Sequence, residues 1–241
     1  MIPEKDTVAS HLEAMLARLD PADRDRFFSV RDEIIQWMEQ QQPEQAVPVR
    51  DWVAALTRRI DRGEARWEQL EPFVYGLLGR HEATSAALLG DIMARTNLGL
   101  TEELAEALGE LGSRAVDAVP ALTTVVTGHA EEWPRAKAAF SLGQIGDHRA
   151  VPALMAALHD PASSVRRSAI EALHQLGSRT ATSEVLRLLE HDPDYVVRSV
   201  AASTLGDWKV REARPLLERM LAAESNPTLL KATREALAAL S

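Results

Sequence analysis

The chain has no cysteine in 241 residues, which excludes disulfides, thiolate nucleophiles and cysteine-ligated zinc and fits a reducing compartment. No apolar run approaches the roughly 20 residues that a membrane helix needs. The opening segment MIPEKDTVASHLEAML lacks the basic stretch and apolar core of a signal peptide, so a cytoplasmic protein without membrane association is expected. Strand-like alternation is also missing, and the chain reads as all-α. Basic charge is scarce, with 27 Lys and Arg against 36 Asp and Glu and a formal net charge of −9. Nucleic-acid binders ordinarily carry a basic face, so this balance argues against a nucleic-acid partner. No serine sits in a Gly-x-Ser-x-Gly elbow, and no glycine-rich loop is placed to cradle phosphate. No catalytic residue, cofactor or metal ligand is therefore nominated, and the expectation is a non-enzyme.

What is present is repetition. RAKAAFSLGQIGDHRAVPALMAALHD, RRSAIEALHQLGSRTATSEVLRLLEHD and RSVAASTLGDWKVREARPLLERMLAAE follow one another from Arg135. Their anchors stay in step at intervals of 31 and then 32 residues: Arg135, Arg166, Arg198; Leu142, Leu173, Leu205; Ala150, Ala181, Ala213; Leu154, Val185, Leu217. Each unit holds two apolar-periodic runs parted by a break, which is a helical hairpin too small to cover its own apolar stripe. Stacking such hairpins buries the stripes against their neighbours. Gly143 and Gly146 are expected to close the first helix, Pro152 to sit in the opening turn of the second, and Asp192-Pro193 to act as N-cap and N1 proline.

These residues resemble the HEAT repeats, in particular the short kind named after phycobilisome lyases, through the phrase R..A...LG.IGD..AVPAL...L.D...VR from Arg135 to Arg166. The same phrase reaches back to Leu108, and Leu230 to Leu240 resembles the first helix of a truncated last unit. The resemblance implies an α-α superhelix, a HEAT-like solenoid, over residues 101–241, with units near 101–133, 134–164, 165–196 and 197–227 and a half unit at 228–241. Residues 1–100 read as irregular helices forming an N-terminal capping region. Val8, Leu12, Met15, Leu16 and Leu19 make one stripe there. Asp20-Pro21 is expected to cap a second helix carrying Phe27, Ile34, Ile35 and Met38. Helices are also expected around Val53 to Ile60 and Glu64 to Leu78, the latter kinked or ended at Pro72.

In stacked hairpins the second helices are expected to line the concave surface. Their outward positions include Arg149, Glu184, Arg187 and Arg219, whose alternating charge suits a polypeptide better than a phosphate backbone. Trp133 and Trp208 lie in breaks between helices, where an exposed tryptophan anchors partners; the plainer readings are a staple on its own helix for Trp133 and a filled gap at a missing turn glycine for Trp208. The Arg135, Arg166, Arg198 column reads as a register ladder pairing with Asp160 and Asp192 rather than as anion sites. The expected function is a protein-protein interaction module that binds a protein or peptide as scaffold or regulator. The resemblance also implies a phycobilin lyase-like subunit as one alternative and a HEAT-like alkylpurine DNA glycosylase as another.

Overall fold

The computed structural model describes residues 5–19, 23–40, 46–61, 72–73, 86–95 and 101–240. The chain divides into two compact units, Met1–Leu98 and Gly99–Ser241. In the first, the described helices are α1 (Lys5–Leu16), α2 (Arg24–Glu39), α3 (Ala46–Asp61) and α4 (Ala86–Arg95). The whole stripe from Val8 to Leu19 is buried, and α2 buries Phe27, Val30, Ile34 and Met38. Helix α1 packs on α3, where the Trp52 indole N–H and the Arg59 guanidinium both donate to the Glu13 carboxylate, at 3.1 and 2.9 Å. The N-cap of α2 is Asp23, whose side chain accepts from the Arg26 amide. Asp20-Pro21, Trp67 and most of Glu64 to Leu78 lie outside the described residues.

The second unit is a run of hairpins. First helices α5 (Thr101–Glu110), α7 (Glu132–Ile145), α9 (Ser163–Gln175), α11 (Tyr195–Asp207) and α13 (Pro227–Ala239) alternate with second helices α6 (Val119–Gly128), α8 (Val151–Ala157), α10 (Thr182–His191) and α12 (Arg214–Ala223). The anchors Leu142, Leu173, Leu205, Leu154, Val185 and Leu217 are fully buried, each burial being worth about 1.5–3 kcal/mol. Leu158 and Leu189 are equally buried, but their counterpart Leu221 is exposed. No second helix follows α12 within the described residues to cover it.

Two punctuation marks act differently from their sequence reading. Gly146 does cap α7, with φ +81°, and Gly177 and Lys209 hold the same left-handed corner in the next two units. Gly143, by contrast, lies inside α7 and ends nothing. A Cβ there would stand 2.7 Å from the Ala172 Cα of α9, just as one at Gly206 would stand 2.8 Å from the Ala236 Cα of α13. These glycines let neighbouring first helices touch backbone to backbone. In the same column α9 carries His174 where α7 and α11 carry glycine, and the residue one repeat on from Ala172 and one before Ala236 is Thr204. Accordingly α9 and α11 pack less closely than α7 with α9 or α11 with α13.

The aspartates before proline are also redirected. Asp194, not Asp192, caps α11 by accepting from the Val196 amide at 2.7 Å. Asp192 is held by Arg166 through two bonds of 2.7 and 2.8 Å. Arg135 holds Asp160 in the same way, both at 2.8 Å, and Arg198 reaches Glu224 at 3.1 Å. Each arginine also donates to two backbone carbonyls of the turn before its own helix, those of Asp160 and Pro161 in the case of Arg166. Asp160 and Asp192 thus bind one arginine by carboxylate and the next by carbonyl, which makes the expected ladder a continuous polar chain across the turns. The arginines are consumed by the fold.

Candidate functional site

Neighbouring first helices of the second unit pack on one another throughout, most loosely at α9 and α11, whereas the second helices make fewer contacts with one another, chiefly between α6 and α8. Glycine and alanine on the first-helix layer let neighbouring first helices approach closely there. Three grooves open on it and share walls. One of about 400 Å³ is lined by Glu102, Trp133, Lys137, Phe140, Arg167 and Glu171. A smaller one of about 150 Å³ adjoins it at Trp133 and Arg167 and runs past Ser163 and Ser164 to Asp194 and Val196. The largest, about 590 Å³, begins at Phe140 and Glu171 and crosses α11 to Thr228, Lys231 and Glu235 on α13. The wide seam at His174 and Thr204 lies in its wall, so the departure from the glycine pattern opens the groove.

The chemistry of the layer follows from what its side chains lack. Trp133 is 58% exposed and lies against two grooves, so its indole is free to cover an incoming apolar group. Arg167 follows Arg166 in sequence, yet it points into the grooves while its neighbour is spent on the ladder. Its Nε has no hydrogen-bond partner, and the nearest carboxylate, Glu171, is 4.0 Å away. Lys137 meets Glu106 at 3.3 Å on α5, a half-exposed pair. Burial pushes the Glu171 carboxyl above the usual carboxylate range, and the Arg167 charge only partly opposes this. Because its folded pKa lies above the unfolded one, ionised Glu171 weakens the fold above both values and costs nothing below the unfolded pKa. Glu171→Gln is therefore expected to raise the thermal midpoint at neutral pH and to leave it unchanged in acid, below the carboxylate range. Thermal melts at the two pH values check this, and equal shifts at both would refute the burial argument.

The residues nominated as a binding surface lie elsewhere. Arg149 pairs with Asp147 at 2.7 Å and donates to the Val116 carbonyl. Glu184 accepts from Arg187 at 2.8 Å, with His159 adjacent. Arg219 bridges to Glu190 at 2.9 Å, joining α12 to α10. All four sit on or beside the second helices, outside the three grooves, with in-chain partners. Trp208, expected as an exposed anchor, is only 4% exposed, tucked beyond the end of α11 with its ring 6.3 Å from that of His174. It fills the space left by the missing glycine and is no surface anchor. Trp133 alone of the nominated set lines a groove. Phe140, Lys137, Arg167 and Glu171 were missed, although their signal was in the sequence. They occupy the outward positions of the helix whose column of glycine and alanine marks the tighter layer.

Hairpins stacked through one small-residue layer and tied at their turns by an arginine ladder define an α-helical repeat solenoid. The profile of the HEAT repeats matches residues 86–174, 119–206 and 153–238, and the chain belongs to that family. The match begins at α4, earlier than the resemblance at residue 101 suggests. A phycocyanobilin lyase subunit alpha from Picosynechococcus sp. is 36% identical over 107 residues, covering 38% of this chain and 40% of that protein. A deoxyhypusine hydroxylase from Chaetomium globosum is 40% identical over 85 residues, covering 34% of this chain and 25% of that protein. These curated relatives are thus matched over two fifths of their length or less. An engineered protein of solved structure aligns with a TM-score of 0.55 at 18% identity, over 95% of this chain and 68% of that one. Relatives named for lyase and hydroxylase activity share these repeats, so the lack of a catalytic motif does not make this chain a non-enzyme. Among the described residues no helix is long and apolar enough to cross a membrane.

Proposed function

We propose that the chain is a protein-binding HEAT scaffold whose contact surface is the first-helix layer of the second unit, from Trp133 to Glu235. The observation that carries this is the exposed Trp133 at the junction of connected grooves, beside the part-exposed guanidinium side chain of Arg167. Large exposed aromatics next to arginine are the residues that dominate binding energy in protein interfaces. The second-helix layer offers charges already matched within the chain, which contribute little to affinity when they stay exposed.

Affinity capture from a lysate of the source organism tests the reading with two variants beside the wild type. Trp133→Ala with Ser203→Trp is expected to lose a stoichiometric protein that Arg187→Ala with Arg219→Ala retains. Trimming an interface tryptophan typically costs about 2 kcal/mol or more, some thirtyfold in affinity. The reverse pattern would move the binding surface to the second helices.

The kinship with a phycocyanobilin lyase subunit supports a second reading, a lyase-type subunit acting on a chromophore-bearing protein. A change in the visible absorbance of phycocyanobilin on mixing with the chain supports it; an unchanged spectrum rejects it.

A further inference from the structure

The largest of the three grooves has a rim of one predominant charge. It crosses α11 between a wall from α9 and a wall from α13, and its floor is small and apolar, with Val196, Val200 and Ala232. Its rim carries three carboxylates, Glu171, Asp207 and Glu235, against one Lys or Arg, Lys231. None of the three is firmly neutralised. Asp207 has His174 at 3.3 Å, a pair only when the imidazole is protonated. Glu235 has Lys231 at 3.9 Å with both side chains largely exposed. Glu171 has Arg167 at 4.0 Å and stands in surroundings that already penalise its charge. A partner cation placed there gains three acceptors that the chain leaves underused, while an aliphatic neighbour covers the floor. The net charge of −9 draws such a partner in and repels an acidic one.

We propose, resting on the scaffold reading above, that the occupant of this groove is a basic polypeptide segment in which Lys or Arg alternates with aliphatic residues, its cations meeting Glu171, Asp207 and Glu235. Phosphate backbones and anionic lipid carry the wrong sign for this rim.

Selection from a random displayed peptide library against the full chain tests both the site and its preference. Selected peptides are then titrated against the wild type, against Glu171→Gln with Glu235→Gln, and against Ser203→Trp, which fills the groove from an exposed position on α11. Far-UV circular dichroism confirms that each variant is folded. The expected result is enrichment of Lys and Arg beside Leu, Ile or Val, with affinity about tenfold weaker for the double glutamine variant and abolished by Ser203→Trp. Acidic or uncharged peptides that Ser203→Trp still abolishes would overturn the charge preference and leave the groove standing. Peptides indifferent to Ser203→Trp, or a library that yields none, would overturn the groove along with it.

Discussion

Asp192→Ala should destabilise the protein by about 3–5 kcal/mol, because it strands a buried guanidinium. The Arg166 and Asp192 side chains are 10% and 1% exposed, and they share two short bonds. Removing the carboxylate leaves two N–H donors in a site that water barely reaches. It also removes the acceptor of the Asp194 amide, 2.9 Å from the same carboxylate. The other rungs are wetter, at 12% and 10% for Arg135–Asp160 and 21% and 22% for Arg198–Glu224. Asp160→Ala should cost less than Asp192→Ala, and Glu224→Ala least of the three. Urea denaturation of the three variants measures the series, and the first should also lower the thermal midpoint by on the order of 10 °C. Equal costs at all three rungs would show that burial is not what sets them. Replacing both partners, Arg166→Met with Asp192→Leu, should cost less than Asp192→Ala alone, since no charge is then left behind.

The ladder and the buried stripes were legible in the sequence because both recur at the repeat period, and recurrence at a buried position marks a requirement of the fold. Asp192-Pro193 was misread for a local reason. An aspartate before proline fits an N-cap, but Asp194 two residues on fits equally well, and the choice falls to Arg166, which is 26 residues away in sequence and next to Asp192 only after stacking. The tryptophans show the same limit. Trp133 and Trp208 both lie beside breaks, yet one starts a helix with open space around it and the other ends a helix beside His174. The more closely packed layer was encoded, but in the smallest residues. Glycine has two uses, a positive φ and a close approach, and a reading based on turns takes the first at Gly143 where the structure uses the second.

That second use makes Gly143→Ala the other large effect expected. On an open helix surface, glycine to alanine stabilises by up to about 1 kcal/mol, because the backbone loses less freedom on folding. Gly128, at the end of α6 with nothing within 4 Å of its added Cβ, should respond that way. At Gly143 the new methyl carbon meets the Ala172 Cα at 2.7 Å and its Cβ at 2.9 Å. An α-carbon in a packed helix cannot swing aside as a side-chain tip does, so α7 and α9 must separate. Overpacking of this kind costs about 1–3 kcal/mol and outweighs the propensity gain. Gly206→Ala, facing Ala236 at 2.8 Å, should fall on the same side. Thermal and urea melts of the three alanine variants decide the matter by sign alone: loss at Gly143 and Gly206, gain at Gly128. A gain at all three would mean that the first helices are not in backbone contact at these glycines. The converse substitution, His174→Gly, restores the glycine pattern at the one wide seam. By drawing α9 toward α11 it should narrow the largest groove and weaken peptides selected against it, with no loss of helix content by circular dichroism.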